Sequence, residues 1–359
     1  MLSKSYVHGS SSANLLGETL GANFDAAAER WGDREALVVR HQNLRWTYKD
    51  LKKRVDAFAA GLLSLGLETG DRVGIWSQNN SEWVVTQYAT AKVGLILVNI
   101  NPAYRTLELE YAINKVGCKA LILSERFKSS NYVEMLKELV PSLTQSHPGE
   151  LGSERLTTLS HVIQIGGKTS SGCFDFSEVI EMASPKSFER LEQVASGLQF
   201  DDPINIQFTS GTTGSPKGAT LTHFNSLTNG FSTGEVLKFG PNDRLCVPVP
   251  LYHCFGMVLS NIAALTHGAS VVYPDETFDP LKVLEAIEAE KCTALHGVPT
   301  MFIAQLEHPR FSEFDLSSLR TGIMAGSPCP IEIMRRVVEE MHCQELTIAY
   351  GMTETSPTI

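Results

Sequence analysis

The sequence lacks the long apolar runs and paired cysteines that are typical of membrane spans and zinc sites. No stretch of 18 apolar residues occurs, so no segment has the length that a transmembrane helix needs. The seven cysteines include no Cys-x-x-Cys pair, which argues against a zinc site. Their odd number in a large chain argues against a disulfide framework and favours a reducing compartment.

A broad basic surface is also missing. The chain has 30 lysines and arginines against 40 aspartates and glutamates, a formal net charge of -10 at pH 7. This balance argues against a nucleic-acid partner, which requires an extended positive face, but not against a small anionic ligand. Apolar residues at 43% and charged residues at 19% are typical of a globular protein with a substantial core, and they leave the oligomeric state open.

The first residues of the chain carry little targeting character. Residues 1–20, MLSKSYVHGSSSANLLGETL, are rich in serine but contain one lysine and no arginine. A matrix-targeting peptide is typically amphipathic and rich in arginine. We therefore interpret residues 1–20 as an N-terminal tail without a clear presequence, and residues 21–359 as the folded domain.

Hydrophobic periodicity predicts alternating helices and strands from residue 21 onward. Helical spacing is found in YKDLKKRVDAFAAGLLSLG, and short apolar runs typical of buried strands include DRVGIWS, LILVNI, CKALILS and INIQFTS. Such alternation favours an α/β fold with a largely parallel sheet. Residues 125–200 are more polar and less regular, and we expect connecting structure or a soft subdomain boundary there.

One loop between two predicted strands concentrates small and polar residues. In QFTSGTTGSPKGATLTH, residues 207–223, Gly211, Gly214 and Gly218 permit positive φ, so successive backbone amides can face an anion. Lys217 adds a point charge that phosphate oxygens favour. The hydroxyl donors of the loop are Thr209, Ser210, Thr212, Thr213 and Ser215. The pattern predicts a polyphosphate cradle, which differs from a Walker A loop because no Ser or Thr follows the lysine.

Three segments, in order along the chain, resemble motifs of the adenylate-forming enzymes, which include acyl-CoA synthetases, luciferases and peptide-synthetase adenylation domains. TSGTTGSPKGATLTH is similar to the family's phosphate-binding signature, PLYHCFG to its acyl-pocket motif, and YGMTETS to its adenine and magnesium motif. The resemblance runs from about residue 20 to the end and is strongest to mitochondrial medium-chain acyl-CoA ligases. It implies the large N-terminal α/β domain of that fold, with stacked mixed or parallel sheets flanked by helices, truncated and without the small C-terminal domain.

The resemblance also implies roles for individual residues. Tyr350 would stack on adenine, Thr353 would bond the α-phosphate, and Glu354 would hold Mg²⁺. The implied catalytic residues are Lys217, Thr353, Glu354 and His253. The implied ATP-binding residues are Thr209, Ser210, Gly211, Thr212, Thr213, Gly214, Ser215, Pro216, Lys217, Gly326, Ser327, Tyr350, Gly351 and Thr353.

A further segment, MAGSPCP at residues 324–330, is expected to form the other wall of the adenine slot. Gly326 would permit close approach of the backbone to the base. The same segment is typical of a helix N-terminus, with Ser327 as the cap and Pro328 in the first turn. Both interpretations can hold together.

The class of substrate has one indication in the sequence. Residues 250–271 contain no aspartate or glutamate, whereas a family member that activates an amino acid needs a carboxylate for the ammonium group. This favours a neutral acyl tail. The predicted substrate-binding residues are His253, Phe255, Met257, Val298 and Met301. Adjacent residues on an extended segment face opposite ways, so Cys254 and His253 are not expected to pair, and the role of His296 stays open.

The implied reaction has two halves. A fatty carboxylate attacks the α-phosphorus of ATP to give acyl-AMP and pyrophosphate, and the thiol of coenzyme A then displaces AMP. ATP, Mg²⁺ and coenzyme A are implied, as is the mitochondrial matrix, with the cytoplasm as the alternative location. Because the sequence stops just after the magnesium motif, we expect a fragment or short isoform with little activity alone. The alternative is a non-catalytic isoform that binds nucleotide or a partner.

Overall fold

The computed structural model describes residues 14–209 and 215–359. Most of the predicted N-terminal tail, and loop residues 210–214, therefore lie outside the described residues. Thr19, at the end of the predicted tail, caps the first helix by accepting from the Ala22 amide at 3.1 Å. Within the described ranges, no helix combines the length and the apolar character that crossing a bilayer requires.

Helices and strands alternate along the chain, as the periodicity predicts. The α-helices are α1 (Leu20–Trp31), α2 (Tyr48–Ser64), α3 (Ser81–Lys92), α4 (Thr106–Val116), α5 (Tyr132–Leu139), α6 (Phe176–Glu181), α7 (Pro185–Gly197), α8 (His223–Val236), α9 (Cys254–Gly256), α10 (Ala263–His267), α11 (Pro280–Glu290), α12 (Pro299–Leu306) and α13 (Ile331–Glu340). A π-helix (Met257–Ile262) joins α9 to α10. Short 3₁₀ turns lie at Pro141–Thr144, Phe311–Glu313 and Thr353–Thr355.

Most strands belong to two seven-stranded sheets. The strands are β1 (Glu35–Val39), β2 (Leu44–Thr47), β3 (Arg72–Trp76), β4 (Ile96–Asn99), β5 (Cys118–Ser124), β6 (Arg126–Phe127), β7 (Ser130–Asn131), β8 (His161–Ile165), β9 (Phe174–Asp175), β10 (Pro203–Thr209), β11 (Lys217–Thr222), β12 (Arg244–Cys246), β13 (Ser270–Tyr273), β14 (Ala294–Gly297), β15 (Thr321–Ala325) and β16 (Glu345–Ala349). Sheet A has the order β16-β15-β14-β12-β13-β1-β2 and sheet B the order β11-β10-β4-β3-β5-β8-β9. The pairs β1–β2 and β10–β11 are antiparallel, whereas the other neighbours in both sheets are parallel. The predicted α/β class with largely parallel sheets is confirmed.

Alternate residues of the inner strands face different hydrophobic layers, because side chains alternate across a strand. In β1, Leu37 and Val39 join a central core, while Val38 faces the outer core beneath α11, α12 and α13. In β5, Ile122 joins the central core, while Leu121 faces α4 and α5 on the other side. Sheets A and B therefore enclose a middle layer of α1, α2, α3 and α8, and each sheet carries helices on its outer face.

Residues 125–200 contribute to the main fold, where we expected connecting structure or a subdomain boundary. β8 extends sheet B in parallel with β5, and α6 and α7 pack on α2. The Phe176 ring of α6 stacks on Phe58 with ring centroids 4.1 Å apart. α7 is mostly exposed, whereas Val179 and Leu191 reach the central core. A subdomain boundary within residues 125–200 stays a prediction.

Candidate functional site

The β10–β11 hairpin carries the predicted phosphate-binding loop. Thr209, the last residue of β10, pairs with Lys217, the first of β11, so the loop leaves and re-enters the sheet at one point. The Tyr111 hydroxyl donates to the Pro216 carbonyl oxygen at 2.9 Å and holds the returning chain, while Ser215 and Lys217 are exposed. The loop residues outside the described ranges are Ser210, Gly211, Thr212, Thr213 and Gly214. Their place in an anion-binding nest stays a prediction.

Gly218 differs from the prediction of a positive φ. It lies in β11 opposite Phe208 and is not among the described glycines with positive φ. A Cβ at this position would lie 3.0 Å from Ile206 Cγ2. The prediction was wrong because pairing with β10 keeps the backbone extended, and the glycine instead permits close packing on β10.

The last residues of the chain fold back on themselves beyond β16. Gly351 pairs with Thr358 in an antiparallel bridge, and the Met352 amide donates to the Pro357 carbonyl oxygen at 2.9 Å. The 3₁₀ turn Thr353–Thr355 lies between these contacts. A Cβ at position 351 would lie 1.8 Å from the Pro357 carbonyl oxygen, so this fold-back requires glycine there.

Asn229 of α8 ties the fold-back to the hairpin. Its Nδ2 donates to the Thr358 carbonyl oxygen at 2.9 Å, and its Oδ1 accepts from the Thr358 hydroxyl at 2.6 Å. α8 follows β11 directly, and the turn Thr353–Thr355 lies against β11. The β10–β11 hairpin and the predicted magnesium motif therefore lie side by side, near the carboxyl ends of β10 and β16, where α/β sheets bind ligands.

Two buried asparagines hold the segment PLYHCFG. Asn79 Nδ2 donates to the Val249 carbonyl oxygen at 2.9 Å, and Asn79 Oδ1 accepts from the Leu251 amide at 2.9 Å. Asn99 Nδ2 donates to the Tyr252 carbonyl oxygen at 3.0 Å. Because buried backbone groups need partners, these bonds fix the chain just before the predicted catalytic histidine.

His253 and Cys254 bring the acyl-pocket motif against the final turn. His253 caps α9, because its Nδ1 accepts from the Phe255 amide at 3.1 Å. The Cys254 sulfur lies 3.9 Å from the Thr353 hydroxyl oxygen. Solvent reaches the His253 ring, yet the surrounding protein lowers the pKa of the imidazole by desolvation. At neutral pH the ring is therefore uncharged.

The Cys254 thiol lies 3.6 Å from His253 Nδ1, although we expected the two side chains to face opposite ways. The expectation was wrong because the two residues begin a helix rather than continue an extended segment. Burial, with a smaller contribution from the Glu354 carboxylate, raises the pKa of the thiol to about 11. The thiol is therefore protonated at neutral pH, and the pair is not an activated nucleophile.

Gly326 and Tyr350 follow neighbouring strands at one edge of sheet A. Ala325 pairs with Ala349 in the β15–β16 register, so Gly326 and Tyr350 are the next residues along the two strands. Gly326 has φ 87°, and a Cβ there would lie 3.0 Å from Val298 Cγ1. Tyr350 is 79% exposed, which leaves its ring accessible for stacking. The two predicted adenine walls and one predicted acyl-binding residue are thus neighbours.

Ser327 does not cap a helix. α13 begins at Ile331 with Pro330 in the N-cap position, so the predicted helix start at Ser327 and Pro328 is wrong. A residue that precedes proline is disfavoured in the helical region, and two prolines at 328 and 330 keep this stretch extended. Ser327 is instead exposed beside Gly326.

Four predicted substrate-binding residues belong to the central core or pack against it, and we call this set the acyl slot. Phe255 and Met257 are buried, whereas Val298 and Met301 are half-buried. Met257 Sδ accepts from Asn99 Nδ2 at 3.6 Å. The slot is therefore apolar toward the core but polar behind Met257, a feature that the motif itself does not show.

Glu354 is the predicted magnesium ligand, and its side chain is exposed next to the half-buried Thr353. Among the described residues, no cluster of three or more His, Cys, Asp or Glu could hold a metal ion. A single exposed carboxylate nevertheless fits Mg²⁺ that arrives with a nucleotide, because Mg²⁺ is commonly bound by one or two carboxylates together with phosphate oxygens.

Comparison with known families assigns the chain to one of them. The family profile described as AMP-binding enzyme matches residues 24–359. The chain belongs to this family. Among its relatives is the mitochondrial medium-chain acyl-CoA ligase ACSF2 of Danio rerio, which is 45% identical over 99% of this chain and 59% of its own length. The human ACSF2 is 44% identical over 98% of this chain and 58% of its own length. The chain thus spans about three fifths of these relatives.

Solved structures of AMP-binding enzymes share the fold. The anthranilate CoA ligase AuaEII in complex with anthranoyl-AMP superposes with a TM-score of 0.81 at 22% identity, covering 98% of this chain and 63% of that one. The N-terminal domain of FACL13 from Mycobacterium tuberculosis superposes with a TM-score of 0.77 at 23% identity, covering 94% and 77%. The second match confirms that the fold is that of the family's N-terminal domain.

Sequence motifs did not identify the asparagines that support the candidate site. Asn99 carries a weak signal, because it is a polar residue near the end of the otherwise apolar strand LILVNI. Asn229 carries no sequence signal of its role, since its partner Thr358 lies 129 residues later. Such supports become visible only when distant segments are brought together.

Proposed function

We propose that the protein activates a medium-chain fatty acid with ATP to form acyl-AMP and then transfers the acyl group to coenzyme A. The observation that carries this proposal is that the Thr353–Glu354 turn lies against β11 of the hairpin and beside Cys254 of the acyl-pocket motif, while Val298 of the slot lies beside Gly326. The names of the ACSF2 relatives support the substrate class and a mitochondrial location.

In the proposed reaction, residues of the chain bring together two anions that repel each other. Lys217, exposed at the start of β11, offsets charge on the departing pyrophosphate, and the hydroxyls of Thr209 and Ser215 donate to its oxygens. Thr353 donates to the α-phosphate, and Tyr350 stacks on adenine. Glu354 would hold Mg²⁺, which would further neutralise the phosphate charge when bound.

His253 orients the fatty carboxylate in this proposal. Its Nδ1 accepts from the Phe255 amide and its ring is neutral, so the ring hydrogen lies on Nε2. Nε2 can therefore donate to a carboxylate oxygen while the acyl tail enters the slot. Each buried methylene contributes roughly 0.8 kcal/mol, so the length of the slot sets the preferred chain length.

Binding and exchange measurements test the proposal. We expect the 359-residue chain to bind Mg-ATP and the non-hydrolysable analogue octanoyl sulfamoyl adenosine in calorimetry. Lys217→Ala and Glu354→Ala should each weaken Mg-ATP binding by about tenfold, because each removes a charged contact to phosphate. Octanoate-dependent ATP–pyrophosphate exchange reports the adenylation step itself.

Exposed residues outside the candidate site provide matched controls. Lys186→Ala on α7 and Glu68→Ala before β3 remove one charge of the same sign each. They should leave the affinities for Mg-ATP and for octanoyl sulfamoyl adenosine unchanged. Equal losses in the controls would show a general charge effect. If neither Mg-ATP nor the analogue binds, adenylation by this site is ruled out.

A further inference from the structure

His296 is a fully buried histidine of β14, two residues before Val298 of the acyl slot. Ala294, His296 and Val298 alternate along extended backbone and therefore share one face, which is the face that meets the central core. At about 3.3 Å per residue, His296 lies roughly 7 Å deeper than Val298. Its ring centroid is 5.5 Å from that of Phe255, another residue of the slot. His296 is thus the next side chain inward from the slot.

Ser260 of the π-helix determines which ring nitrogen of His296 carries the hydrogen. The Ser260 hydroxyl donates its one hydrogen to the Phe255 carbonyl oxygen at 3.0 Å, since a carbonyl only accepts. The same hydroxyl oxygen lies 2.9 Å from His296 Nδ1 and must accept there. Burial lowers the pKa of His296 to about 3, so the ring is neutral. The hydrogen therefore lies on Nδ1, and Nε2 is a bare acceptor.

This acceptor has no donor. Across the part of the chain that the structure describes, no group donates a hydrogen bond to His296 Nε2, which is shielded from solvent. The side chains of its aromatic neighbours Phe239 and Phe255 contain no hydrogen-bond donor. A buried polar atom without a partner is destabilising and uncommon in native proteins. A hydroxyl group on a ligand would satisfy it.

We propose that His296 Nε2 accepts a hydrogen bond from a hydroxyl group on the acyl chain, so that the protein selects hydroxylated medium-chain fatty acids. The inference rests on the proposed function, because it requires the acyl tail to enter the slot. Phe255 is almost completely buried, and its ring has to rotate aside to admit the tail. If His296 only tethered the π-helix through Ser260, plain and hydroxylated acids would bind in proportion to their hydrophobicity.

A binding series separates these two roles. The chain, with Mg²⁺ and the non-hydrolysable α,β-methylene analogue of ATP present, is titrated with octanoate and with octanoates that carry one hydroxyl near the far end of the tail. We expect at least one hydroxy acid to bind about tenfold more tightly than octanoate, which corresponds to one buried hydrogen bond. His296→Phe removes the acceptor and keeps a ring of similar size. It should abolish this preference, while octanoate should still bind.

Two further measurements make the outcome decisive. His296→Leu is a second variant without the acceptor, and circular dichroism confirms that each variant is folded. Octanoate binding without a preference for any hydroxy acid overturns this inference and leaves the proposed function standing. If both His296→Phe and His296→Leu still bind a hydroxy acid more tightly than octanoate, the inference is also overturned. Failure of octanoate and all hydroxy acids to bind contradicts the proposed function itself.

Discussion

At the scale of single residues, position 351 is the most constrained point of the candidate site. A Cβ there would meet the Pro357 carbonyl oxygen at 1.8 Å, and backbone atoms cannot move aside as a flexible side chain can. Overpacking of this kind costs about 1–3 kcal/mol. A Cβ at position 351 would distort the fold-back that contains Thr353 and Glu354. It should therefore weaken ligand binding more than it lowers global stability.

We therefore expect Gly351→Ala to weaken Mg-ATP binding at least about tenfold with little change in thermal unfolding. Gly197→Ala in α7 is the matched control, because a Cβ there meets nothing within 4 Å. Calorimetry and a thermal melt of both variants provide the measurement. Unaltered Mg-ATP affinity in Gly351→Ala would show that the fold-back does not position the nucleotide contacts.

The residue types in the motifs could be predicted because their chemistry is local. Hydroxyls, glycines and a lysine within one short loop indicate phosphate binding before any fold is known. The tautomers of His253 and His296 could not be predicted, since each depends on a partner that only the folded helices supply. The position of Gly218 was also missed, because strand pairing decides its backbone conformation.

At the scale of elements, α8 acts as the support of the fold-back through Asn229. Asn229→Ala removes the donor to the Thr358 carbonyl oxygen and the acceptor for the Thr358 hydroxyl. The loss should destabilise the segment by about 1–2 kcal/mol. We expect hydrogen exchange of the Met352 amide to become roughly five- to thirtyfold faster.

Ser232→Ala on the same helix is the comparison, because Ser232 is exposed. It should leave exchange in the fold-back unchanged. Exchange that is equally slow in Asn229→Ala would mean that the Gly351–Thr358 bridge holds the segment without help from α8.

Elements with continuous apolar runs could be predicted from sequence, whereas those defined by distant partners could not. The runs DRVGIWS, LILVNI and CKALILS became β3, β4 and β5, since parallel strands are buried on both faces. β1 and β2 were not predicted, because β1 is placed by pairing Val38 with Val272, far along the chain. β8, α6 and α7 were not predicted for a similar reason, because β8 is placed by pairing with β5 and the two helices by packing on α2.

At the scale of the whole molecule, buried histidines make stability depend on pH. Burial lowers the pKa of His223 to about 4, although the Asp202 carboxylate acts in the opposite direction. An unfolded histidine has a pKa near 6.5, so the unfolded chain binds a proton that the folded chain excludes as pH falls. The free energy of unfolding should therefore drop by about 2 kcal/mol between pH 7 and pH 5 on account of His223.

His223→Asn isolates this contribution. An asparagine oxygen can still accept from the Leu20 amide, as His223 Nδ1 does at 3.0 Å, but the group no longer titrates. We expect urea unfolding of this variant to lose about 2 kcal/mol less between pH 7 and pH 5 than the wild type. His147→Asn at an exposed site should keep the full drop. An equal drop in both variants would mean that His223 is protonated in the folded state.

The layer between the sheets is built from both halves of the chain, α1 to α3 from the first and α8 from the second. Each sheet also contains strands of both halves. Cutting the backbone at the exposed Glu154 would thus give two pieces that each hold an incomplete interior. Neither piece could cover its apolar surface alone, while the pair could reassemble around it. The architecture therefore suits split-fragment complementation, in which regained nucleotide binding would report that two separately produced pieces have met.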